Sequence, residues 1–258
     1  MIARLLALVA AAMLAAGAVD PNDPFKAASI VEKPGASIPL DGPFVTSAGQ
    51  PVTLRQLAAG KPLLITPVQH ECPNICGVTL AGIAGAIDGQ PKYKPGRDFA
   101  IVALGIDPRE GSAQAGDDLK RLAAQRPNAV WQPAALTGSE QAIHAVTDAL
   151  GYRYAWSDQL GQYAHLSGTA VLTPDGRMSS WLYGLAPTSA QLQAAVTQAS
   201  AGRSGGVMQQ ILLLCFHYDP QTGRYSLAIT KALRLAGVAT VLLIALAILL
   251  LSRRRRTA

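Results

Sequence analysis

The chain has 258 residues, 50% of them hydrophobic, 15% charged and 5% aromatic, which excludes an intrinsically disordered protein and is slightly more apolar than a wholly soluble one requires. Its net charge of +6 comes from 22 Lys and Arg against 16 Asp and Glu, but seven of the basic residues flank two apolar end segments: Arg4, Lys231, Arg234, Arg253, Arg254, Arg255 and Arg256. Without these seven, 15 basic residues remain against 16 acidic ones, so nucleic-acid binding loses its electrostatic basis.

The first segment, residues 1–18, is typical of a secretory signal peptide. Arg4 precedes an uncharged run of Leu, Ala and Val, and the segment ends in Ala16-Gly17-Ala18, with small residues at the two positions that signal peptidase inspects. We predict cleavage before Val19, with an uncleaved membrane anchor as the alternative. No Cys follows the small residues, which argues against a lipoprotein.

The middle of the chain, residues 19–200, has the hydrophobic periodicities of a compact α/β domain. Its first half predicts hairpin 38–54, strand 61–68, helix 78–87, strand 99–106 and helix 117–125. Its second half predicts strand 129–136, helix 139–150, a hairpin of strands 168–172 and 178–183, and helix 188–200. Strands that alternate with helices, with hairpins at both ends, predict a central mixed sheet flanked by helices.

A loop with two cysteines follows the predicted strand 61–68. Its sequence is His70-Glu71-Cys72-Pro73-Asn74-Ile75-Cys76. Pro is favoured in the first turn of a helix, so a helix that begins near Pro73 would bring the sulfurs of Cys72 and Cys76 to one point. The N–H groups at a helix start stabilise thiolates, and soft thiolates select Cu(I). A reversible disulfide and a purely structural disulfide are the alternatives.

The last apolar segment, residues 235–251, has no charge and is followed by four arginines. At about 1.5 Å per residue it is roughly 26 Å long, near the lower limit for a bilayer core. We predict one transmembrane helix over residues 231–252. Because positive charge stays on the cytoplasmic side, the basic tail 253–258 lies in the cytoplasm and the main domain in the bacterial periplasm, at the inner membrane.

Residues 201–230 form a membrane-proximal segment in this scheme, and they contain Cys215 and His217. Cys215 ends an apolar run, so we interpret it as a buried small hydrophobic residue. The alternatives are a second soft copper contact made together with His217, or a third redox partner.

The cysteine loop resembles the Cys-Pro-Asp-x-Cys loop of the Sco/SenC family, membrane-anchored, thioredoxin-like copper proteins that help to assemble the copper centre of cytochrome c oxidase. Three further segments resemble the family in the same order: residues 48–54 (AGQPVTL), 105–108 (GIDP) and 163–168 (YAHLSG). The resemblance implies a thioredoxin-like fold for the α/β domain. It also implies that copper is ligated by Cys72, Cys76 and His165.

Two positions depart from the family pattern. Gly77 stands where the family usually has Pro after the second Cys, and Ala164 stands where it usually has Asp before the ligand His. A metal-bound imidazole usually needs a partner on its other nitrogen, so the missing Asp affects the orientation of His165. A backbone carbonyl could fill this role.

Four other polar residues have weaker signals. We predict that His70 is an exposed loop histidine, with tuning of the thiolates or weak extra ligation as the alternative. Glu71 is predicted to face water, and His144 to lie on the surface of its helix. Asp107 follows a predicted strand, where it either approaches the cysteine loop or caps the turn.

These features predict a copper metallochaperone that holds copper through Cys72, Cys76 and His165 and delivers it to the copper-bearing subunit of cytochrome c oxidase in the same membrane. A periplasmic copper donor or thiol reductant would be a further partner. The alternative is a membrane-anchored thiol-disulfide oxidoreductase that uses Cys72 and Cys76 as its redox pair. A tethered structural domain with an inert disulfide is a third hypothesis, and it leaves His165 unexplained.

Overall fold

A computed structural model describes residues 23–71, 76–129 and 131–205, and the short stretches 218–219, 224–225, 236–237 and 239–240; of Cys76 it describes the backbone. The chain divides into two compact units. One comprises Pro24–Leu212 and Pro220–Gly223, and the other comprises Met1–Asp23, Leu213–Asp219 and Arg224–Ala258.

The larger unit is built around a seven-stranded mixed sheet. The described strands of this unit are β1 (Ser29–Ile30), β2 (Phe44–Thr46), β3 (Pro51–Val52), β4 (Leu63–Val68), β5 (Ala100–Gly105), β6 (Ala134–Gly138), β7 (Tyr152–Arg153), β8 (Ala155–Ser157), β9 (Gln162–Ala164), β10 (Gly168–Leu172) and β11 (Met178–Tyr183). The sheet has the spatial order β11-β10-β4-β5-β6-β2-β3. Strands β4, β5 and β6 run parallel, and the outer pairs are antiparallel.

Helices lie on both faces of this sheet. Those described in the unit are α1 (Leu54–Ala58), α2 (Cys76–Asp88), α3 (Ser112–Gln125), α4 (Glu140–Leu150) and α5 (Ser189–Ser200). Successive residues of a strand point to opposite faces, so Leu63 and Ile65 of β4 pack with α1 and α4, whereas Leu64 packs with α2 and α5. Val68 packs in a third cluster with α2 and α3. The predicted mixed sheet flanked by helices is therefore confirmed.

Polar caps define the helix ends that the sequence predicted. Ser139 Oγ accepts the N–H of Ala142 at 3.3 Å, and α4 ends at Leu150, before the C-cap residue Gly151, whose φ is 74°. Thr188 Oγ1 accepts the N–H of Gln191 at 3.2 Å at the start of α5. Both starts use a side-chain oxygen to satisfy a backbone N–H that has no partner within the helix.

The differences from the predicted elements lie mainly at their ends. Helix α3 begins at Ser112 rather than at residue 117. Strand β6 begins at Ala134 rather than at residue 129, because Arg126 and Ala129 still form a hydrogen-bonded turn of 3.0 Å. Strands β7, β8 and β9 have no predicted counterpart, since two or three residues are too few to show a strand periodicity. The predicted helix start near Pro73 lies outside the described residues.

The smaller unit is described only in short stretches. Strands β12 (Tyr218–Asp219) and β13 (Arg224–Tyr225) pair antiparallel. Residues 236–237 and 239–240 are helical, and Thr240 Oγ1 donates to the carbonyl of Ala236 at 2.8 Å. Within the part of the chain that the structure describes, no helix combines the length and apolarity needed to cross a membrane. The predicted signal peptide and most of the predicted span over 231–252 fall on residues outside that part.

Candidate metal centre

The cysteine loop follows β4 at the edge of the sheet where the parallel strands end. Val68, the last residue of β4, is in register with Gly105, the last residue of β5. The segments that follow these two strands are therefore neighbours, as is usual for sites on open α/β sheets. Helix α2 begins at Cys76. Cys72 and the side chain of Cys76 lie outside the described residues.

Two hydrogen bonds connect the flanks of the cysteine loop to the segment that carries His165. Before the loop, Gln69 Oε1 accepts the backbone N–H of Tyr163 at 3.1 Å. After the loop, Thr79 Oγ1 donates to Ser167 Oγ at 3.2 Å. Each flank residue is three positions from its cysteine, and each partner is two positions from His165. The fold therefore holds a sequence-distant histidine segment against both flanks of the loop.

His165 follows β9 directly and is half-buried. Its Nδ1 lies 2.8 Å from Tyr152 Oη and 3.3 Å from the carbonyl oxygen of Leu166. Tyr152 Oη also donates to the Leu166 carbonyl at 2.7 Å. Ala164, where an Asp would be usual, is buried and pairs with Ala155 of β8. A backbone carbonyl thus contacts the imidazole, as the sequence allowed, together with a tyrosine hydroxyl that it did not indicate.

The prediction that His70 is exposed is wrong, because its side chain is fully buried. Its Nδ1 lies 2.9 Å from Asp118 Oδ2, and its Nε2 lies 3.1 Å from the Leu136 carbonyl oxygen. Burial disfavours the charged imidazolium, but the hydrogen bonds to Asp118 and to Leu136 outweigh burial and raise the pKa of His70. Both ring nitrogens face oxygen acceptors, so neither offers a lone pair to a metal. His70 is therefore a structural residue rather than an extra ligand.

Glu110 and Arg121 hold the backbone at the entrance of the loop. The buried carboxylate of Glu110 accepts the N–H of His70 at 2.9 Å and the N–H of Glu71 at 2.7 Å. Burial raises the pKa of Glu110, although these two N–H groups favour its ionised form. Arg121 donates to the His70 carbonyl oxygen and, at 3.3 Å, to Asp118 Oδ1. Glu71 is exposed, as predicted.

Asp107 reaches the loop from the end of β5. Its two carboxylate oxygens accept Nε and Nη2 of Arg109 at 2.8 and 2.6 Å, and Oδ1 also accepts the Arg109 backbone N–H at 2.9 Å. Oδ2 accepts Gln69 Nε2 at 3.4 Å. Burial opposes ionisation, but the bonds from Arg109 outweigh it and lower the pKa of Asp107. Asp107 therefore combines the two predicted roles, since it caps its own turn and approaches the loop.

A family model decides what kind of protein carries this arrangement. It matches residues 34–200, and its description is SCO1/SenC. The match covers well over half of the chain and includes the cysteine loop and His165. The chain belongs to the SCO1/SenC family. None of the curated proteins matches it in sequence.

Solved structures resemble this SCO1/SenC protein over about two thirds of its length. A putative electron transfer protein from Aquifex aeolicus VF5 has 20% identity and a TM-score of 0.57, covering 66% of this chain and 95% of that one. Arabidopsis thaliana ScoI with copper bound has 22% identity and a TM-score of 0.51, covering 64% and 96%. BsSco, in which a disulfide switch has been identified, is a member of the Sco family of cytochrome c oxidase assembly proteins. It has 22% identity and a TM-score of 0.50, covering 67% of this chain and 98% of that one. These likenesses establish the thioredoxin-like fold of the α/β domain.

The predicted ligands of the SCO1/SenC protein are only partly described. His165 is described, whereas the thiols of Cys72 and Cys76 are not, and Cys215 and His217 also lie outside the described residues. Among the residues that the structure does describe, no three or more His, Cys, Asp or Glu gather to hold a metal. The donor set implied by the sequence suits copper, because it pairs two soft sulfurs with an imidazole whose Nδ1 is already hydrogen-bonded to protein.

Aromatic residues near the site follow an alternating pattern that is visible in the sequence. Tyr152, Tyr154 and Trp156 alternate along the chain, which is typical of one face of an extended segment. Trp156 pairs with Tyr163 across β8 and β9, and the guanidinium carbon of Arg109 lies 4.2 Å from the Trp156 ring centroid. Neither Gln69 nor Thr79 has such a signal. His144 is exposed on α4, as predicted, and stacks on Tyr154 at 5.6 Å between ring centroids.

Proposed function

We propose that this SCO1/SenC protein binds copper through Cys72, Cys76 and His165 and delivers it to the copper-bearing subunit of cytochrome c oxidase. Two of its structural relatives support this function. ScoI of Arabidopsis thaliana has a structure with copper bound, and BsSco is assigned to a family of cytochrome c oxidase assembly proteins. Copper is the cargo in this proposal, so the site must bind it and also release it.

The observation that carries the proposal is the pair of hydrogen bonds from the loop flanks, Gln69 to Tyr163 and Thr79 to Ser167. If His165 were an ordinary surface residue, its segment would not need to be bonded to both flanks of the cysteine loop. With both in place, the segment that carries His165 is fixed relative to both ends of the cysteine loop. This is the arrangement that a three-ligand site requires, because all three donors must meet without a large change of the backbone.

The donor chemistry supports copper over harder metal ions. Thiolates select Cu(I), and imidazole suits copper in either oxidation state. Cys76 is the first residue of the 13-residue helix α2, where backbone N–H groups stabilise a thiolate. The copper would therefore be held by three side chains of this chain alone, which leaves room for a client ligand to bind during transfer.

We further propose that the protein works at the outer face of the bacterial inner membrane. The signal-like residues 1–18 and the apolar residues 235–251 with their arginine tail support this location. Confinement to the membrane of the client raises the effective concentration of the pair without tight docking. A periplasmic copper donor or thiol reductant would load the site.

Metal analysis of the purified full-length chain tests the proposal. The reduced chain should bind one copper per molecule, and Cys72→Ser or Cys76→Ser should abolish binding. Cys215→Ser is the matched control and should leave the stoichiometry unchanged. Undiminished copper in either loop variant would overturn the site, and loss of copper in Cys215→Ser would relocate part of it to the membrane-proximal segment.

A second experiment separates delivery from thiol-disulfide exchange. Exchange depends on thiolate character and access at Cys72 and Cys76, so it should not need His165. His165→Ala cells should therefore lose oxidase activity under copper limitation and regain it with added copper. Normal oxidase assembly in His165→Ala cells, together with failure in Cys72→Ser cells, would reject copper delivery in favour of the oxidoreductase.

A further inference from the structure

The hydroxyl of Tyr152 stands at the centre of the hydrogen bonds that surround the His165 ring. It lies 2.8 Å from His165 Nδ1 and 2.7 Å from the Leu166 carbonyl oxygen, which is itself 3.3 Å from the same Nδ1. A carbonyl oxygen can only accept, and a tyrosine has a single hydroxyl proton. These two facts determine where the protons lie.

The network assigns the proton of the neutral imidazole to Nδ1. If Tyr152 donated to His165 instead, its oxygen and the Leu166 carbonyl oxygen would face each other at 2.7 Å with no proton between them. With the proton on Nδ1, the ring donates to Tyr152, Tyr152 donates to Leu166, and all three contacts are satisfied. The lone pair of the neutral ring is then on Nε2.

Packing fixes the position of this hydroxyl. Tyr152 is 1% exposed and belongs to β7, which pairs with β1 through Ile30. Its ring stacks on Trp181 at 5.9 Å and contacts Tyr154 at 6.0 Å between centroids. A buried ring held from two sides has few other rotamers available, so the hydroxyl is a preorganised partner rather than a chance contact.

We propose that Tyr152 is the positioning residue for His165, which it orients through Nδ1 so that Nε2 is the metal-binding nitrogen. This inference rests on the proposed copper function, and it supplies from β7 the orienting group that Ala164 cannot provide. Partners on the second nitrogen of a ligand histidine typically contribute 10–100-fold in metal affinity. A phenol hydroxyl is neutral, so it fixes the ring without adding a negative charge beside the cargo.

The first test reads the tautomer directly in the metal-free full-length chain. Nitrogen-15 NMR of the histidine rings should show His165 with a protonated Nδ1 and a lone pair on Nε2. Tyr152→Phe keeps the buried ring but removes the hydroxyl, so the His165 signals should shift toward a mixture of tautomers. An Nε2-protonated His165 in the unaltered chain would overturn the proposal, even if the variant failed to fold.

The second test measures Cu(II) affinity and the electron paramagnetic resonance spectrum. Tyr152→Phe should weaken Cu(II) binding about 10–100-fold and change the copper spectrum. The matched control is Tyr154→Phe, which removes the hydroxyl of a neighbouring ring that stacks on His144 and should leave both readouts unchanged. Equal affinity and spectrum in Tyr152→Phe and the unaltered chain would reject the positioning role.

The His165→Ala variant distinguishes failure of this inference from failure of the proposed function. If His165→Ala loses Cu(II) while Tyr152→Phe keeps it, the ligand stands and the positioning role falls. If His165→Ala binds Cu(II) as tightly as the unaltered chain, the ligand set itself is wrong, and with it the metal-directed role of Tyr152.

Discussion

Gln69 Oε1 accepts the backbone N–H of Tyr163 at 3.1 Å, so the residue three positions before Cys72 is bonded to the residue two positions before His165. The other end of the same amide donates to Asp107 at 3.4 Å. One buried side chain thus connects the ends of β4 and β5 to the hairpin strand β9. Neither partner of Gln69 is close to it in sequence, so only the folded domain can assemble this junction.

Gln69→Leu should separate the histidine segment from the cysteine loop. The substitution leaves the Tyr163 N–H without its acceptor, which costs about 1–3 kcal/mol of unfolding free energy when the group stays buried. Copper affinity, measured by competition with a chelator, should also fall. The fall should be larger than in a control variant that loses a similar amount of unfolding free energy. Gln90→Leu is the control, because Gln90 is also buried but bonds to Ile87 and Tyr93. Equal copper affinity in the two variants would contradict the role of Gln69.

A double-mutant cycle should detect the second connection, between Thr79 and Ser167. Thr79→Val and Ser167→Ala each remove one hydroxyl, and their coupling free energy in urea unfolding should be about 0.5–1.5 kcal/mol. The Thr66 and Thr169 hydroxyls, 2.9 Å apart inside the sheet, provide a matched cycle. That second cycle should couple in stability but leave copper affinity unchanged. If the effects of Thr79→Val and Ser167→Ala are additive in both unfolding free energy and copper affinity, the contact between these two hydroxyls contributes to neither.

Sequence patterns predicted the layers of this domain but only part of its site. Continuous apolar runs and caps such as Ser139 determine where buried strands and helices occur, because burial and capping act locally. The connections made by Gln69, Thr79 and Tyr152 depend on which strands become neighbours, and a single sequence does not contain that information in any periodic form. The sequence predicts His70 to be exposed, although it is buried, for the same reason. Its partners Asp118 and Leu136 belong to elements that are distant in sequence.

Gly105→Ala should destabilise the fold by overpacking the His70 ring. A Cβ at Gly105 would lie 3.0 Å from both Cδ2 and Nε2 of His70 and 3.0 Å from the Leu136 carbonyl oxygen. Overpacking of this kind typically costs about 1–3 kcal/mol, and denaturant unfolding measures it. Gly85→Ala in α2 is the control, because a Cβ at that position meets nothing within 4 Å. Replacing a glycine inside a helix by alanine should not destabilise the fold. A loss of stability in Gly85→Ala equal to that in Gly105→Ala would refute the steric explanation.

The buried His70 should make the unfolding free energy decline as the pH rises above about 6.5. Its pKa in the folded chain is raised above the usual 6.5: burial acts against the charge, but the hydrogen bonds to Asp118 and the Leu136 carbonyl prevail, with a further attraction from Glu110. A raised folded pKa stabilises the fold fully below about pH 6.5, and this contribution is lost as pH rises through the folded pKa.

The unfolding free energy should therefore fall by at most about 1.4 kcal/mol per pH unit between about pH 6.5 and the folded pKa of His70. Urea titrations of the metal-free full-length chain between pH 6 and 8 measure the slope, in a Cys72→Ser, Cys76→Ser, Cys215→Ser background that removes all three thiols. His70→Gln should abolish it, whereas His144→Gln, at an exposed helix position, should retain it. A slope that survives in His70→Gln would mean that the Asp118 pair is not the source of the pH dependence.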